Sequence, residues 1–232
     1  MENSVPNQTG PAGGEAHADR ARQAWQSAES AARYRETRNL LNNSRSRRED
    51  SIIKEWLGLL PPKAQVLDLP CGTGRMIDNI TGLGLQYTGG DISPHMIDIA
   101  RQEAAGNPNV VRFLVADLEK LPFPDNSFDC IIIWRILHHQ ADPQVRMRML
   151  AEAARVTRGS VLVPFHHLLS ATALRKFIGR TCFGHPQNGR PITHWRLRAE
   201  AERGGLRLVE TRGLRKYVSI NWYARFEKTG KP

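Results

Sequence analysis

Residues 66–75, VLDLPCGTGR, bring an acid, a glycine-rich turn and the start of a helical pattern together in one short stretch. An apolar run ends in Asp68, and the chain then turns through Leu69, Pro70, Cys71, Gly72, Thr73 and Gly74. Gly72 and Gly74 have no Cβ, so the backbone there can turn sharply and come close to a ligand. A helix opening at that point presents unpaired N–H groups suited to a carboxylate or a phosphate. The spacing is not GxGxxG and no Lys follows as in a phosphate-binding loop, so the turn by itself leaves the ligand open. Two further acids narrow it. Asp91 ends the next apolar run, 23 residues after Asp68, where a carboxylate can accept from both hydroxyls of a ribose. Asp117 ends the run after that, where a carboxylate can accept from an adenine amino group. Three acids at successive strand ends describe a nucleoside site at the carboxyl edge of a parallel sheet, against the plainer reading of three solvated loop acids.

Histidines form the second group. His138 and His139 follow the fourth apolar run, and His166 and His167 follow the fifth. Histidine titrates close to neutral pH, which suits a general base. Capping and surface placement are the competing readings. No Cys or carboxylate stands near enough in the sequence to complete a metal site, so none is expected.

The elements that must carry these residues alternate in type. Strands are expected over 65–69, 86–91, 110–115, 128–134, 160–165, 206–213 and 217–227, with helices over 76–83, 94–104, 143–156 and 193–204. Such alternation predicts an α/β fold with a doubly wound, seven-stranded, mainly parallel sheet. The last two strands have no helix between them and should form an antiparallel hairpin. Residues 1–22, rich in Pro, Gly, Asn and Ala, are expected to be disordered. Residues 23–62 form a helical segment whose apolar stripe runs through Ile52, Ile53, Trp56, Leu57, Leu59 and Leu60 to a stop at Pro61 and Pro62. The main domain then takes 63–232, with one long connection over 164–192 that is marked as functional by its length.

The net charge of +10 invites an anionic partner, whether nucleic acid, membrane surface or acidic small molecule. Only seven of the 33 basic residues are Lys, however, and the Arg residues are spread along the chain among acids rather than gathered in a tail. An Arg-rich solvated surface and an anion-binding face both remain open. No apolar run approaches the roughly 20 residues of a membrane span, and the first residues do not read as a signal peptide. Cys71, Cys130 and Cys182 share no CxxC spacing, which favours reduced thiols and a cytoplasmic location over a disulfide framework.

In this order the motifs resemble those of the class I S-adenosylmethionine-dependent methyltransferases, and most of all the small-molecule branch that includes the ubiquinone and menaquinone C-methyltransferases. The resemblance covers residues 30–226 and is strongest over 66–163. It is carried by VLDLPCGTGR, by Asp91 in GGDIS, by Asp117 in ADLEKLPFPDNSFD, by CIIIWRILHH and by LAEAARVTRGSVLVPF. The resemblance implies a Rossmann-like methyltransferase fold that binds S-adenosylmethionine (SAM) and releases S-adenosylhomocysteine (SAH). Asp68, Gly72 and Gly74 would bracket the methionine end, and Asp91 would hold the ribose. Ile92 and Met96 would line the adenine, Asp117 and Leu118 would read its amino group and ring, and the chain at Ile133 and Trp134 would pass near the sulfonium. Tyr34, in YRETR, lies where the family folds a helical segment over the cofactor, and plain helix packing is its alternative. Two departures stand out: Pro70 replaces a usual glycine, and Arg158-Gly159-Ser160 replaces a usual Pro-Gly-Gly turn.

The acceptor is less defined. A small molecule with a hydroxyl or an activated carbon (a quinone, polyketide, lipid or sugar) is the favoured reading, with His138, His139, His166 or His167 as base for a hydroxyl. Trp134 and Arg135 could meet the acceptor or pack under the N-terminal segment, and Arg48 could reach the methionine carboxylate or face solvent. An anionic acceptor would give Arg175, Lys176, Arg180 and Arg190 a role. RNA is a weaker alternative, since no appended RNA-binding module or Asn-Pro-Pro-Tyr-like motif is present. A non-catalytic cofactor-binding subunit is weaker still, because the full set of cofactor residues is there. Peripheral membrane contact and oligomeric state stay open.

Overall fold

The computed structural model describes residues 27–40, 44–173, 175, 191–214 and 218–230. The expected tail over 1–22 lies outside them, as do Lys176, Arg180, Cys182 and Arg190 and most of the long connection.

Seven strands make one sheet: β1 (Gln65–Asp68), β2 (Gln86–Asp91), β3 (Val110–Val115), β4 (Phe128–Ile132), β5 (Thr157–His166), β6 (Leu206–Gly213) and β7 (Asn221–Lys228). Their order is β3-β2-β1-β4-β5-β7-β6. Strands β1 to β5 are mutually parallel, and β7 runs antiparallel to both β5 and β6. The expected terminal hairpin is therefore present, with β7 inserted between β5 and β6. The chain builds outward from β1 through β2 to β3, then returns to place β4 on the other side of β1. That reversal makes β1 and β4 the switch point where the carboxyl ends of parallel strands leave a crevice.

Helices cover both faces: α1 (Ala28–Leu40), α2 (Ser44–Leu57), α3 (Ile77–Thr81), α4 (Pro94–Glu103), α5 (Pro143–Val156) and α6 (His194–Arg203). Strand alternation divides the core between them. Leu67, Ile131, Ile133, Val161 and Val163 pack with residues of α5 and α6 on one side. Val66, Cys130, Ile132 and Leu162 pack with Ile53, Trp56 and Leu57 of α2 and with Ile77, Ile80, Ile97 and Ala100 on the other. Side-chain caps start the longer helices: Ser93 accepts from the Met96 N–H at 3.4 Å, Asp142 from Gln144 at 2.8 Å and Thr193 from Arg196 at 3.3 Å. Pro94 and Pro143 follow their caps at the position where a missing N–H costs nothing.

Four strands differ from expectation at their ends. β1 stops one residue early, at Asp68. β4 stops at Ile132, because the chain turns out of the sheet into Arg135, which has a left-handed φ of 53°. β7 begins at Asn221, whose N–H turns back to Ser219 Oγ at 3.1 Å. β5 starts earlier, at Thr157, where it pairs with Phe128.

The Arg residues are extensively ion-paired. Arg146 of α5 and Glu200 of α6 form a buried two-bonded pair with N–O distances of 2.8 and 2.5 Å, and Arg146 also donates to the Gln140 and Ala141 carbonyls. Arg148, Arg155, Arg158, Arg198, Arg207 and Arg212 all meet carboxylates. The positive charge is thus laced with acids over the described surface, which favours the solvated-surface reading over a continuous anion-binding face. No helix among the described residues is long and apolar enough to cross a membrane.

Candidate cofactor and acceptor site

Asp68, Asp91 and Asp117 stand at or just beyond the carboxyl ends of β1, β2 and β3, which are adjacent in the sheet. Asp68 is buried, with 1% of its surface exposed; its Oδ2 accepts from the Tyr87 hydroxyl at 3.1 Å. Its Oδ1 is buried without a hydrogen-bond partner among the described residues. Burial pushes the Asp68 carboxyl up to about 8, against the lowering effect of the Tyr87 hydroxyl, and the neighbouring Asp91 adds to the rise. Asp91 is also buried and raised by desolvation. Its Oδ2 accepts from the Gly72 N–H and its Oδ1 from the Ser93 N–H, both at 2.9 Å. Each oxygen keeps a lone pair for a further donor. Asp117 is half-buried and its Oδ1 accepts from the Glu119 N–H at 2.9 Å, which shapes the turn after β3.

Between Asp68 and α3 the loop takes the conformation that its glycines permit. Gly72 and Gly74 have φ values of 54° and 84°, where an L side chain is strained. A Cβ on Gly72 would come within 3.3 Å of the Tyr34 ring, and one on Gly74 within 2.4 Å of Ile77 Cδ1. Tyr34 of α1 therefore lies directly over the loop. The helix after the loop spans only Ile77–Thr81, and three N–H groups on the way into it are engaged: Gly72 by Asp91, Gly74 by Cys71 O and Ile77 by Gly74 O. The loop is a shaped backbone cradle in which these three donors are already used.

Of the remaining predicted cofactor residues, Ile92 is half-buried beside Asp91, and Met96 is buried in the first turn of α4. Leu118 is buried next to Asp117. Ile133 and Trp134 follow β4 at the switch point but face opposite ways: Ile133 packs towards α5 and α6, and Trp134 packs with the α2 side. Trp134 is buried and its indole N–H finds no partner among the described residues.

The four histidines separate into two groups. The His138 ring, buried in the short turn Leu137–His139, stacks on the half-buried His166 ring at a centroid distance of 3.8 Å. His166 is in register with Asn221 of β7, so the two share a face. Asn221 lies on the α2 side, where it donates to Glu49 Oε1 at 2.6 Å. His139 is an exposed neighbour that also contacts His138, at 4.2 Å, and is lowered by desolvation. His167 turns to the other face. It is buried, stacks on Trp222 at 4.4 Å, accepts at Nδ1 from the Leu169 N–H and meets His194 Nδ1 through Nε2 at 3.0 Å. That assigns His167 to holding the β5 exit together, away from Trp134.

Four residues of this region were not anticipated. Glu49 of α2 is 1% exposed and receives Arg75, Arg135 and Asn221. Arg75 also pairs with Asp50 at 2.9 Å and lies over the Trp134 ring at 4.8 Å. Arg48 is exposed, so Arg75 and not Arg48 is the guanidinium beside the loop. Tyr87 and Asn221 complete the set. Glu49 was readable in principle: with Ile53 and Trp56 it falls at i, i+4 and i+7, an acid on the buried stripe of α2.

The residues present fit a purine nucleoside carrying a cationic amino acid. The site offers a buried carboxylate oxygen without a donor, a cradle that a Cβ would fill, and a second carboxylate with lone pairs to spare. Residues 66–160 match the methyltransferase domain family. The chain is 30% identical over 140 residues to the demethylmenaquinone methyltransferase of Renibacterium salmoninarum. That alignment takes in 59% of this chain and 56% of that enzyme, so the chain spans little more than half of this relative's length. It is 26% identical to the ubiquinone biosynthesis O-methyltransferase of Coxiella burnetii, over 69% of this chain and 76% of that one.

Over residues 66–160 the chain carries a methyltransferase domain.

The chain also shares its fold with the magnesium protoporphyrin IX methyltransferase of Synechocystis, solved with bound SAH. The TM-score is 0.71 at 17% identity, covering 90% of this chain and 98% of that one. Trp134, His138, His166 and Asn221 lie at the exits of β4 and β5 on the α2 side. The Trp134 indole N–H and Asn221 Oδ1 are buried there with no hydrogen-bond partner among the described residues, next to the stacked histidines. Among the described residues, no group of three or more His, Cys, Asp or Glu side chains is arranged to hold a metal ion.

Proposed function

We propose that the protein moves a methyl group from SAM to a hydroxyl or activated carbon of a small molecule bound between the exits of β4 and β5. One observation carries this reading: the open loop and three acids occupy the ends of three adjacent strands beside the β1–β4 switch point, and the histidine pair lies just across it. SAM, when bound, supplies an electrophilic methyl group on a sulfonium. The protein's part is orientation and charge. Asp91 accepts from the ribose, Asp117 from the adenine amino group, and the Asp68 side chain together with Gly72 and Gly74 receives the methionine end. Tyr34 over Gly72, with α2 latched through Glu49, keeps water from the crevice; α1 and α2 act as its cover.

For a hydroxyl acceptor, the His138–His166 pair takes the proton, with the half-buried His166 as the member within reach of a ligand. His166→Ala is then expected to lower kcat by roughly 100- to 1,000-fold while SAH affinity stays unchanged. An unaltered kcat would remove His166 from that role. The relatives include enzymes named for quinone and O-methyl chemistry, which supports a small acceptor without choosing between oxygen and carbon. Incubation with methyl-labelled SAM and a cell extract tests the reading. Label should enter the organic-soluble or small-molecule fraction, and Asp91→Ala should prevent it. Label confined to nucleic acid would overturn the small-molecule reading.

A further inference from the structure

Tyr87 has no counterpart among the residues expected to bind the cofactor, yet it controls one of them. It sits in the middle of β2 and is fully buried. Its ring lies 5.7 Å from Phe113, and a Cβ on Gly89 would strike both Phe113 and the Tyr87 hydroxyl, at 2.7 and 2.9 Å. The absence of side chains at Gly89 is thus what lets the Tyr87 hydroxyl reach Asp68 Oδ2. With Oδ2 fixed, the carboxyl plane is fixed, and Oδ1 is left buried without a partner beside the cradle.

The charges around Asp68 are one-sided. From β2 it faces Tyr87 and Asp91, and from the loop Cys71 and Arg75. Arg75 is engaged by Asp50 and Glu49 of α2. β4 contributes Ile132 opposite Asp68 and no ionisable group there. Burial drives the Cys71 thiol and the Tyr87 phenol well above their usual ranges, so neither yields a proton near neutrality. That leaves Asp68 and Asp91, both raised by burial, and of the two Asp68 is the one with an oxygen that has no partner among the described residues.

Building on the proposed function, we propose that Tyr87 is a positioning residue that aims the open oxygen of Asp68 at the cationic methionine end of the cofactor, and that this pair gives up one proton as that end docks. In the free protein Asp68 carries the proton on its carboxyl oxygen. Arrival of an ammonium group favours the carboxylate, the O–H bond breaks, and the proton leaves to the buffer. The sign follows: affinity for a cationic ligand rises with pH while Asp68 is protonated in the free protein, and levels off as pH passes its raised pKa, about 8.

The experiment is calorimetric titration of the full chain with SAH in buffers of different ionisation enthalpy. It runs from about pH 6 to 7.5, below the range where the ligand's own α-amino group titrates. The wild type should release about one proton per SAH, and its affinity should rise by up to about ten-fold per pH unit. Methylthioadenosine, which lacks the amino acid end, should release none and show no pH dependence. Tyr87→Phe keeps the ring and loses one hydrogen bond to a charged group, so SAH binding should weaken by roughly ten-fold or more, and proton release at the upper end of this range should stay nearer one than in the wild type. Asp68→Asn should bind weakly, without proton release. SAH binding with no proton release and a flat pH profile would overturn the inference and leave the proposed function standing. A Tyr87→Phe variant matching the wild type in affinity, proton count and profile would also overturn it. No binding of either nucleoside would overturn both.

Discussion

Asp91→Ala is expected to weaken SAH binding by a factor on the order of 100 to 10,000, read by calorimetry at fixed pH. Each hydrogen bond to a charged group is worth about 1.5–3 kcal/mol, and two ribose hydroxyls would lose their acceptor together. Tenfold in affinity corresponds to about 1.4 kcal/mol. The substitution has a second consequence inside the protein. Asp91 also accepts from Gly72 N and Ser93 N, so removing it frees the peptide that shapes the cradle and unties the start of α4. Asp91→Asn keeps the size of the side chain but has one acceptor oxygen and one donor nitrogen, so one of the two backbone N–H groups loses its partner together with part of the ribose contact. It should melt below the wild type and bind SAH far more weakly. Undiminished affinity in either variant would remove Asp91 from the site.

The second large effect concerns backbone rather than charge. Gly72→Val should reduce SAH affinity by roughly ten- to a hundred-fold, because a β-branched residue held at a positive φ costs about 1–3 kcal/mol. At Gly72 φ is 54°, and the new side chain would also press on the Tyr34 ring over the loop. The loop can escape only by flattening, which turns Gly72 N away from Asp91. A paired variant, Tyr34→Ala with Gly72→Val, removes the steric part and keeps the conformational part. If the double variant regains wild-type affinity, the positive φ is not what the site needs. Thermal midpoints of both variants show whether the loss is local.

How much of this was readable beforehand follows from which forces act locally. The strand–helix alternation, the terminal antiparallel pair and the three acids at strand ends depend on period, turn residues and short-range spacing, and all three appear in the fold. Strand ends drifted where a distant partner decides them, as when β5 begins early, at Thr157, to pair with Phe128. The glycine turn was read as a helix end with free donors, but Asp91, nineteen positions on, captures the Gly72 N–H. The histidine pairs were visible as neighbours in sequence; that His138 joins His166 and not His167 depends on strand pleat and on Trp222, which no local pattern reveals. Glu49 joins Arg75, Arg135 and Asn221 across up to 172 positions. Such a meeting depends on the assembled sheet, and sequence spacing gives only the hint that an acid lies on an apolar stripe.

The most direct test of the central claim is a calorimetric titration of the wild-type chain with SAH, set beside the same titration with NAD. One SAH should bind per chain in the micromolar range, and NAD should give no heat, since the loop lacks the glycine spacing for a pyrophosphate. Tight NAD binding, or no SAH binding, would contradict the assignment of Asp68, Asp91, Asp117 and the cradle between them to a methyl-donor site.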